Sequence, residues 1–372
     1  MQALLGCQPM ISLIDAAEPA LRQCKEVDTR LPLMSCLRRL LQSYREGTDE
    51  RSADSKRVIN AAQVAFKPLL VRFRASLPRD MNGQLRLDCQ EDPEELLSYL
   101  LDKATEEVVD IDLTEACSPT KAVLNNIAET YTAHVNGMPR VRRRSALEGL
   151  FSGKLLQTIK KTRGDRSTET HCVEDLGTVH AFLNNGQQHG AKRRRGGRGG
   201  KRGSGKGRNG AEEKGVKPTP ILQGLGGFFM AEKLEGVKDG IGQVEASKRV
   251  SLHEAPPMMA VQAKQFGMYD FGKGVPGKLE GRLSFQRVLT LPRKMLSQAL
   301  DEECGRRGVK YRLCAVVMHR GPSLHSGHYT SIVRDPTGQW RRFDDERIEK
   351  VTEKDMLGNP DNTPYLLFYE RA

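Results

Sequence analysis

The chain has 372 residues, with 59 Lys+Arg against 47 Asp+Glu, a formal charge of +12 and a sequence pI near 9.3. A hydrophobic content of 38% excludes a wholly disordered chain and suits one large domain or two ordinary ones. Eight cysteines without a CxxC pair argue against a disulfide framework or a structural zinc site, and no apolar run approaches the roughly 18 residues of a membrane helix, so metal and membrane are both unexpected.

Residues 1–135 read as a mainly helical lobe. Leu4-Leu5-Gly6-Cys7 looks faintly like a lipoprotein cleavage site, but the preceding apolar run is too short and lacks a basic region, so no leader is expected. The clearest helix starts near Asp92, which suits the N-cap. Pro93 suits the first helical position, and Leu96, Leu97, Leu100 and Leu101 recur on one face. After residue 136 the texture changes, and Leu147 to Ile159 carries an apolar pattern compatible with strand or helix.

Residues 178–222 are rich in Gly, Lys and Arg and read as a disordered insertion, since they cannot bury enough apolar surface to offset the cost of ordering. Nine of the twelve net charges fall within 192–208, which leaves +3 for everything else. From about 246 onward, β-prone runs alternate with Gly, Pro and Asp, as in Val250 to Leu252, Tyr311 to His319, Tyr329 to Val333, Gln339 to Phe343 and Tyr365 to Tyr369. The expected organisation is 1–135 helical lobe, 136–177 and 223–300 intermediate strands, and 301–372 sheet, with a mostly antiparallel arrangement and an overall α+β class.

The chemistry concentrates in 319–345. Asp335-Pro336-Thr337-Gly338 is a turn signature between two β-prone runs, and a turn centred on residue 336 makes His328 and Asp344 direct or near-direct cross-strand partners. A carboxylate beside a histidine fixes its tautomer and stabilises the imidazolium, which is the orienting half of a Cys-His-Asp or Ser-His-Asp triad. A surface hairpin with an incidental ion pair is the competing reading. His319 and His325 suggest metal only weakly, because no second cluster completes a site.

The blocks Tyr311 to Gly321, Gly327-His328-Tyr329, Trp340 to Asp345 and Tyr365 to Tyr369 resemble the histidine box of the ubiquitin-specific proteases. Upstream, Gln90 to Leu96 with Tyr99 to Asp102 is similar to that family's Gln-Gln-Asp helix. Gly149 to Leu155, Ala246 to Val250, Pro256, Lys264 to Phe266 and Lys278 to Phe285 are similar to its fingers and palm. The resemblance implies a papain-like cysteine protease fold with helical thumb, antiparallel β palm and fingers, needing no cofactor and acting on ubiquitin and ubiquitinated proteins. It implies that His328 and Asp344 are catalytic and that Gly327, Tyr329 and Asp92 border the substrate tail, although for Asp92 a solvated helix cap is an equal alternative.

Two departures from the family pattern stand out. Met1 to Leu5 is similar to the tail of the cysteine box, so the nucleophile and the adjacent oxyanion-hole Asn are expected ahead of Met1. Cys7 would lie about 18 Å farther along a continuous helix at roughly 1.5 Å per residue and reads as a buried apolar residue instead. In the fingers, Lys161 and Gly164 stand near where one zinc-binding CxxC pair would fall, and 233–246 holds no Cys for the other, so reduced fingers without zinc are expected.

Three readings stay open on sequence alone: a deubiquitinase, a ubiquitin-binding pseudoenzyme, or a nucleic-acid-associated protein acting through 192–208. That segment contains Arg-Gly-Gly runs able to hold phosphate but no aromatic for base stacking, so weak contact with RNA or another polyanion is the most it implies. A nuclear or nucleolar address is the more economical reading of the same run, with a merely solvated linker as the alternative and the cytoplasm as the alternative location.

Overall fold

The computed structural model describes residues 2–5, 7–23, 36–42, 67, 69–77, 92–104, 131–135, 138–142, 146–183, 217–240, 242–270, 275–279, 281–323, 326–335, 337–345, 347–358 and 363–372. Its centre is an eight-stranded sheet. The order runs Arg347–Val351, Trp340–Asp344, Ser326–Arg334, Val309–Ser323, Thr363–Arg371, Met258–Lys264 and Val179–Phe182, with Val288–Leu291 also paired to Val309–Ser323. Neighbours are antiparallel except Met258–Lys264 and Val179–Phe182, which run parallel.

Side chains alternate across a strand, and here the alternation separates two cores. Met258, Ala260, Leu366 and Phe368 pack with the N-terminal helices on one face, whereas Met259, Val261, Leu367 and Tyr369 pack on the other. The first core takes in Leu4, Leu5, Met10 and Ile14 from the chain start and Leu97 and Leu100 from the helix Pro93–Ala104. Leu97 and Leu100 are 3% and 1% exposed, and burial on this scale stabilises by about 1.5–3 kcal/mol per leucine. The second core is closed by the helix Ile221–Phe229 and the strand Val288–Leu291. The central strands of the sheet are therefore buried on both faces, while the edge strand Arg347–Val351 stays largely exposed.

A separate four-stranded sheet has the order Arg166–Asp175, Lys154–Arg163, Glu245–Glu254, Glu232–Leu234. Its hairpin turns at Gly164-Asp165, where Gly164 supplies the positive φ of 54° that a two-residue loop needs. This sheet, which contains the strands expected as fingers, holds together by ladder pairing. Lys161 and Gly164 lie at its tip and Lys233 in its short last strand.

Several sequence expectations change. The insertion expected over 178–222 is shorter at both ends, because Val179 and Ala181 alternate into the second core and Thr219 and Ile221 are buried as well. The local Gly and Lys content hid an in-out pattern only four residues long. Residues 184–216, including the basic run, lie outside the described residues. The helical reading of 1–135 fails at its end, where Tyr131–Val135 pairs with Met138–Arg142 as a β-hairpin. The ambiguous stretch from Leu147 to Ile159 is both things in turn, a helix Ala146–Phe151 and then the strand Lys154–Arg163.

Candidate active site

His328 lies on the strand Ser326–Arg334 and Asp344 ends the adjacent strand Trp340–Asp344. Their ladder pairs Ser331 with Phe343 and Arg334 with Trp340. Extending it puts Asp344 opposite Thr330, with His328 two residues along on the same face. Of the direct or near-direct pairing expected, the structure has the near-direct, diagonal form. A two-residue offset preserves the face, so the side chains still meet.

The offset comes from the turn. Asp335 N–H donates to Gln339 O at 2.8 Å and Gly338 N–H to Asp335 O at 2.9 Å, so the loop is centred on residue 337 instead of 336 and ends at Gly338 with φ 90°. The Asp335 carboxylate organises it. Oδ1 accepts from Thr337 N at 3.0 Å and Gln339 N at 3.0 Å, while Oδ2 accepts from Arg341 Nε at 2.9 Å. Burial pushes the Asp335 carboxyl up, but the hydrogen bonds from Thr337, Arg341 and Gln339 together hold it below the usual carboxylate range. At the other end, Asp344 faces Arg347 across a two-residue loop in which Asp345 takes a positive φ of 49°.

His328 Nε2 is 2.5 Å from Asp344 Oδ1. The carboxylate accepts the Nε2 proton, which leaves Nδ1 as the basic nitrogen. Both side chains are more than a third exposed, at 39% and 37%, so the pair is open to a substrate. Asp345 is the neighbour that sequence reasoning passed over: His328, Asp344 and Asp345 each offer one ligand atom, all within 4.8 Å of one another. A cation could use that donor set. The direct His328–Asp344 contact already engages two of the three groups.

Gly327 must be glycine here. Its φ is 152°, and a Cβ would lie 2.4 Å from Arg320 O and 2.6 Å from His319 Nε2. His319 is fully buried among rings, with centroid distances of 4.6 Å to Tyr329, 5.8 Å to Phe266 and 6.4 Å to Tyr365. That placement is a packing role. His325 lies outside the described residues.

Tyr329 packs beside Tyr365 at 5.7 Å, and its hydroxyl is buried without a hydrogen-bond partner among the described residues. Burial, reinforced by the Asp92 carboxylate, pushes that phenol well above its ordinary value. Asp92 combines two tasks. Oδ1 accepts from Glu94 N–H at 2.8 Å, which caps the helix, and both oxygens accept from Tyr365 O–H, at 2.7 and 2.6 Å. Burial raises the Asp92 carboxyl, and the bonds from Tyr365 and Glu94 offset it in part. The tyrosine thus ties the start of the helical lobe to the sheet, beside the residues flanking His328.

Asp344 is the hydrogen-bond partner of His328 among the described residues. Cys7 is 0% exposed, donates to Ala3 O at 3.1 Å and has its Sγ 3.1 Å from that of Cys314. Burial, with Cys314 beside it, pushes the Cys7 thiol well up, so it is an inert packing group as the sequence suggested. The short helix Gln2–Leu5 that precedes it packs against the strands Val309–Ser323 and Ser326–Arg334.

A family model described as "Ubiquitin carboxyl-terminal hydrolase" matches residues 1–369. Ubiquitin carboxyl-terminal hydrolase 24 of Arabidopsis thaliana is 23% identical over 391 residues, covering 100% of this chain and 62% of the relative. Ubiquitin carboxyl-terminal hydrolase 10 of Saccharomyces cerevisiae is 33% identical over 156 residues, covering 40% of this chain and 18% of the relative. The chain therefore spans about three fifths or less of these relatives' lengths. Among solved structures, the SAGA Ubp8/Sgf11/Sus1/Sgf73 DUB module bound to ubiquitin aldehyde matches with a TM-score of 0.63 at 16% identity, over 100% of this chain and 66% of that one. A second Ubp8 module, bound to monoubiquitin, matches with a TM-score of 0.62 at 14% identity, over 100% and 65%. No helix among the described residues is long and apolar enough to cross a membrane.

Proposed function

The chain belongs to the ubiquitin carboxyl-terminal hydrolase family, and from that premise we propose that it supplies the histidine and aspartate half of a cysteine-type deubiquitinase centre. The observation carrying this is the 2.5 Å contact between His328 Nε2 and Asp344 Oδ1, which leaves Nδ1 free to take a proton. On this reading His328 Nδ1 deprotonates a cysteine thiol, and Asp344 stabilises the imidazolium that results. The thiolate attacks the carbonyl of ubiquitin's C-terminal glycine. His328 then returns the proton to the leaving lysine amine, and water attacks the acyl enzyme to release ubiquitin.

Gly327, with no side chain, lets an extended tail approach the strand beside His328, and Tyr329 and Asp92 flank that path. The half-buried Asp92 carboxylate offers an acceptor for a basic tail. The nucleophile is assigned to residues ahead of Met1. The packing of Gln2–Leu5 against the strand Ser326–Arg334 supports this, because it brings the start of the described chain onto the strand that carries His328. The basic run 192–208 is assigned to a nuclear or nucleolar address, with weak RNA contact as a secondary property. Unchanged cellular location and RNA retention after its deletion would remove both roles.

The decisive experiment compares the chain as given with a version extended upstream to include the expected cysteine box, using a ubiquitin C-terminal electrophile and a fluorogenic ubiquitin conjugate. The extended protein is expected to label and turn over, with both lost on His328→Gln. Tight ubiquitin binding without labelling in either form would support the pseudoenzyme reading and overturn this one.

A further inference from the structure

The outer strand of the four-stranded sheet, Arg166–Asp175, is uncovered. All ten of its residues are exposed, it stands last in the strand order, and among the described residues its one ladder partner is Lys154–Arg163. Exposed edges invite pairing with another chain, and sheets usually guard them with lysine, proline, bulges or short length. Lysine, proline, a bulge and short length are all missing here, and the charges that edges also use as guards are present with both signs, as Arg166 against Glu169, Glu174 and Asp175. The register runs unbroken from Lys154 opposite Asp175 to Arg163 opposite Arg166, and the strand contains neither Pro nor Lys. At about 3.4 Å per residue the open edge is about 34 Å long.

The hairpin fixes which backbone groups face outward. Arg163 and Arg166 flank a two-residue loop and so form a hydrogen-bonded pair, and alternation along an antiparallel ladder follows from there. Arg166, Thr168, Thr170, Cys172 and Glu174 direct their N–H and C=O groups inward. Ser167, Glu169, His171 and Val173 direct theirs away from the sheet.

We propose that this edge is a self-association surface, on which a second copy of this chain pairs antiparallel about a twofold axis at Thr170. That centre satisfies the hydrogen-bond phase, and it is chemically matched. Arg166 falls opposite Glu174, Glu169 opposite His171, and Thr170 opposite itself, a favourable β-branched hydroxyl pair. The twofold repeats the Arg166–Glu174 ion pair. The adjacent centres are worse: one at Glu169 sets that carboxylate against its own copy, and one at His171 sets Glu169 against Val173. In the Thr170 register the like-charged contact, Asp165 with Asp175, falls in the loop at the ladder's ends. Antiparallel pairing also sends the two bodies to opposite ends of the joined strands.

Sedimentation velocity over a concentration series reaching the high micromolar range tests this. The chain is expected to dimerise reversibly, and His171→Pro, which removes an outward N–H together with the side-chain bond to Thr158 Oγ1, to remain monomeric with an unchanged circular dichroism spectrum, while His171→Ala, which loses the same side-chain bond but keeps the N–H, still dimerises. Arg166→Glu and Glu174→Arg should each weaken the dimer about tenfold, since each turns two attractive pairs repulsive. The double exchange should restore it. With Cys172→Ser in place, Thr170→Cys should crosslink under mild oxidation, because a non-hydrogen-bonded pair sits about 4.5 Å apart at Cα, within disulfide range. Thr168→Cys should not. A monomer at every concentration, a dimer indifferent to the charge exchange, or crosslinking through residue 168 instead of 170 would overturn the proposal.

Discussion

Gly327→Ala tests whether the strand beside His328 is held by close backbone approach. The added methyl would meet Arg320 O at 2.4 Å, His319 Nε2 at 2.6 Å and Gly321 Cα at 3.0 Å. None of these can retreat cheaply: two are backbone, and the third belongs to a fully buried ring held among Tyr329, Phe266 and Tyr365. Strain at a positive φ costs about 1–3 kcal/mol and overpacking about 1–3 kcal/mol, so the expected loss is about 4 kcal/mol. Gly164→Ala is the control, because its φ is 54° and nothing lies within 4 Å of the new Cβ. It should cost only about 1–2 kcal/mol. At about 2–4 °C per kcal/mol, differential scanning calorimetry should show a drop of about 10 °C for the first and about 4 °C for the second. In the upstream-extended protein, turnover should also fall for Gly327→Ala alone, since a displaced strand carries Nε2 away from Asp344. Equal melting shifts for the two variants would refute the close-approach argument.

Asp344→Asn in the extended protein should lower turnover of a ubiquitin conjugate by about 10²–10⁴ with little change in KM, the range for loss of a positioned acid-base function; a fall in affinity alone would contradict the assignment. Asp335→Ala removes the carboxylate that anchors the turn and strands Arg341, at a cost of about 3 kcal/mol, measurable by urea denaturation at neutral pH. That loss should shrink in acid: the folded carboxyl lies below its unfolded value of 3.8, so its contribution is present above that value and disappears as pH falls through the lower one. Asp92 has the opposite sign. Its folded carboxyl lies above 3.8, so its protonation favours the folded state below that value, and the benefit is lost as pH rises through the raised one. Asp92→Asn, which keeps a helix-capping oxygen, should leave stability at neutral pH within about 1 kcal/mol and flatten the stability profile just above pH 3.8; an unaltered profile would reject the carboxyl as the titrating group.

Much of the site was legible because its parts are close in sequence. His328 and Asp344 are joined by one hairpin, so a turn signature and a period-two pattern bring them together with no knowledge of the rest of the chain. The error in the turn centre was harmless, since it moved the register by two residues and left the face unchanged. Asp92 was legible as a cap for the same local reason. Its bonds to Tyr365 were not, because they join residues 92 and 365 through the packing of a helix on a sheet. The strand Val179–Phe182 was missed because its pairing partner begins at Met258 and its own composition merges with the basic run that follows.

The amino-acid order by itself determined what each short segment prefers: capped helices, alternating strands, a histidine and a carboxylate across one turn, and nine of the net charges confined to 192–208. Those preferences arise from sterics and solvation within a few residues of each side chain. Tertiary structure decided which strands became neighbours, that both faces of the sheet's central strands are buried, that Gly327 backs onto a buried histidine, and that the strand Arg166–Asp175 was left open. Such outcomes depend on apolar area removed from water across hundreds of residues of separation. They also depend on ladder phase, which is set only when a particular partner strand is in place.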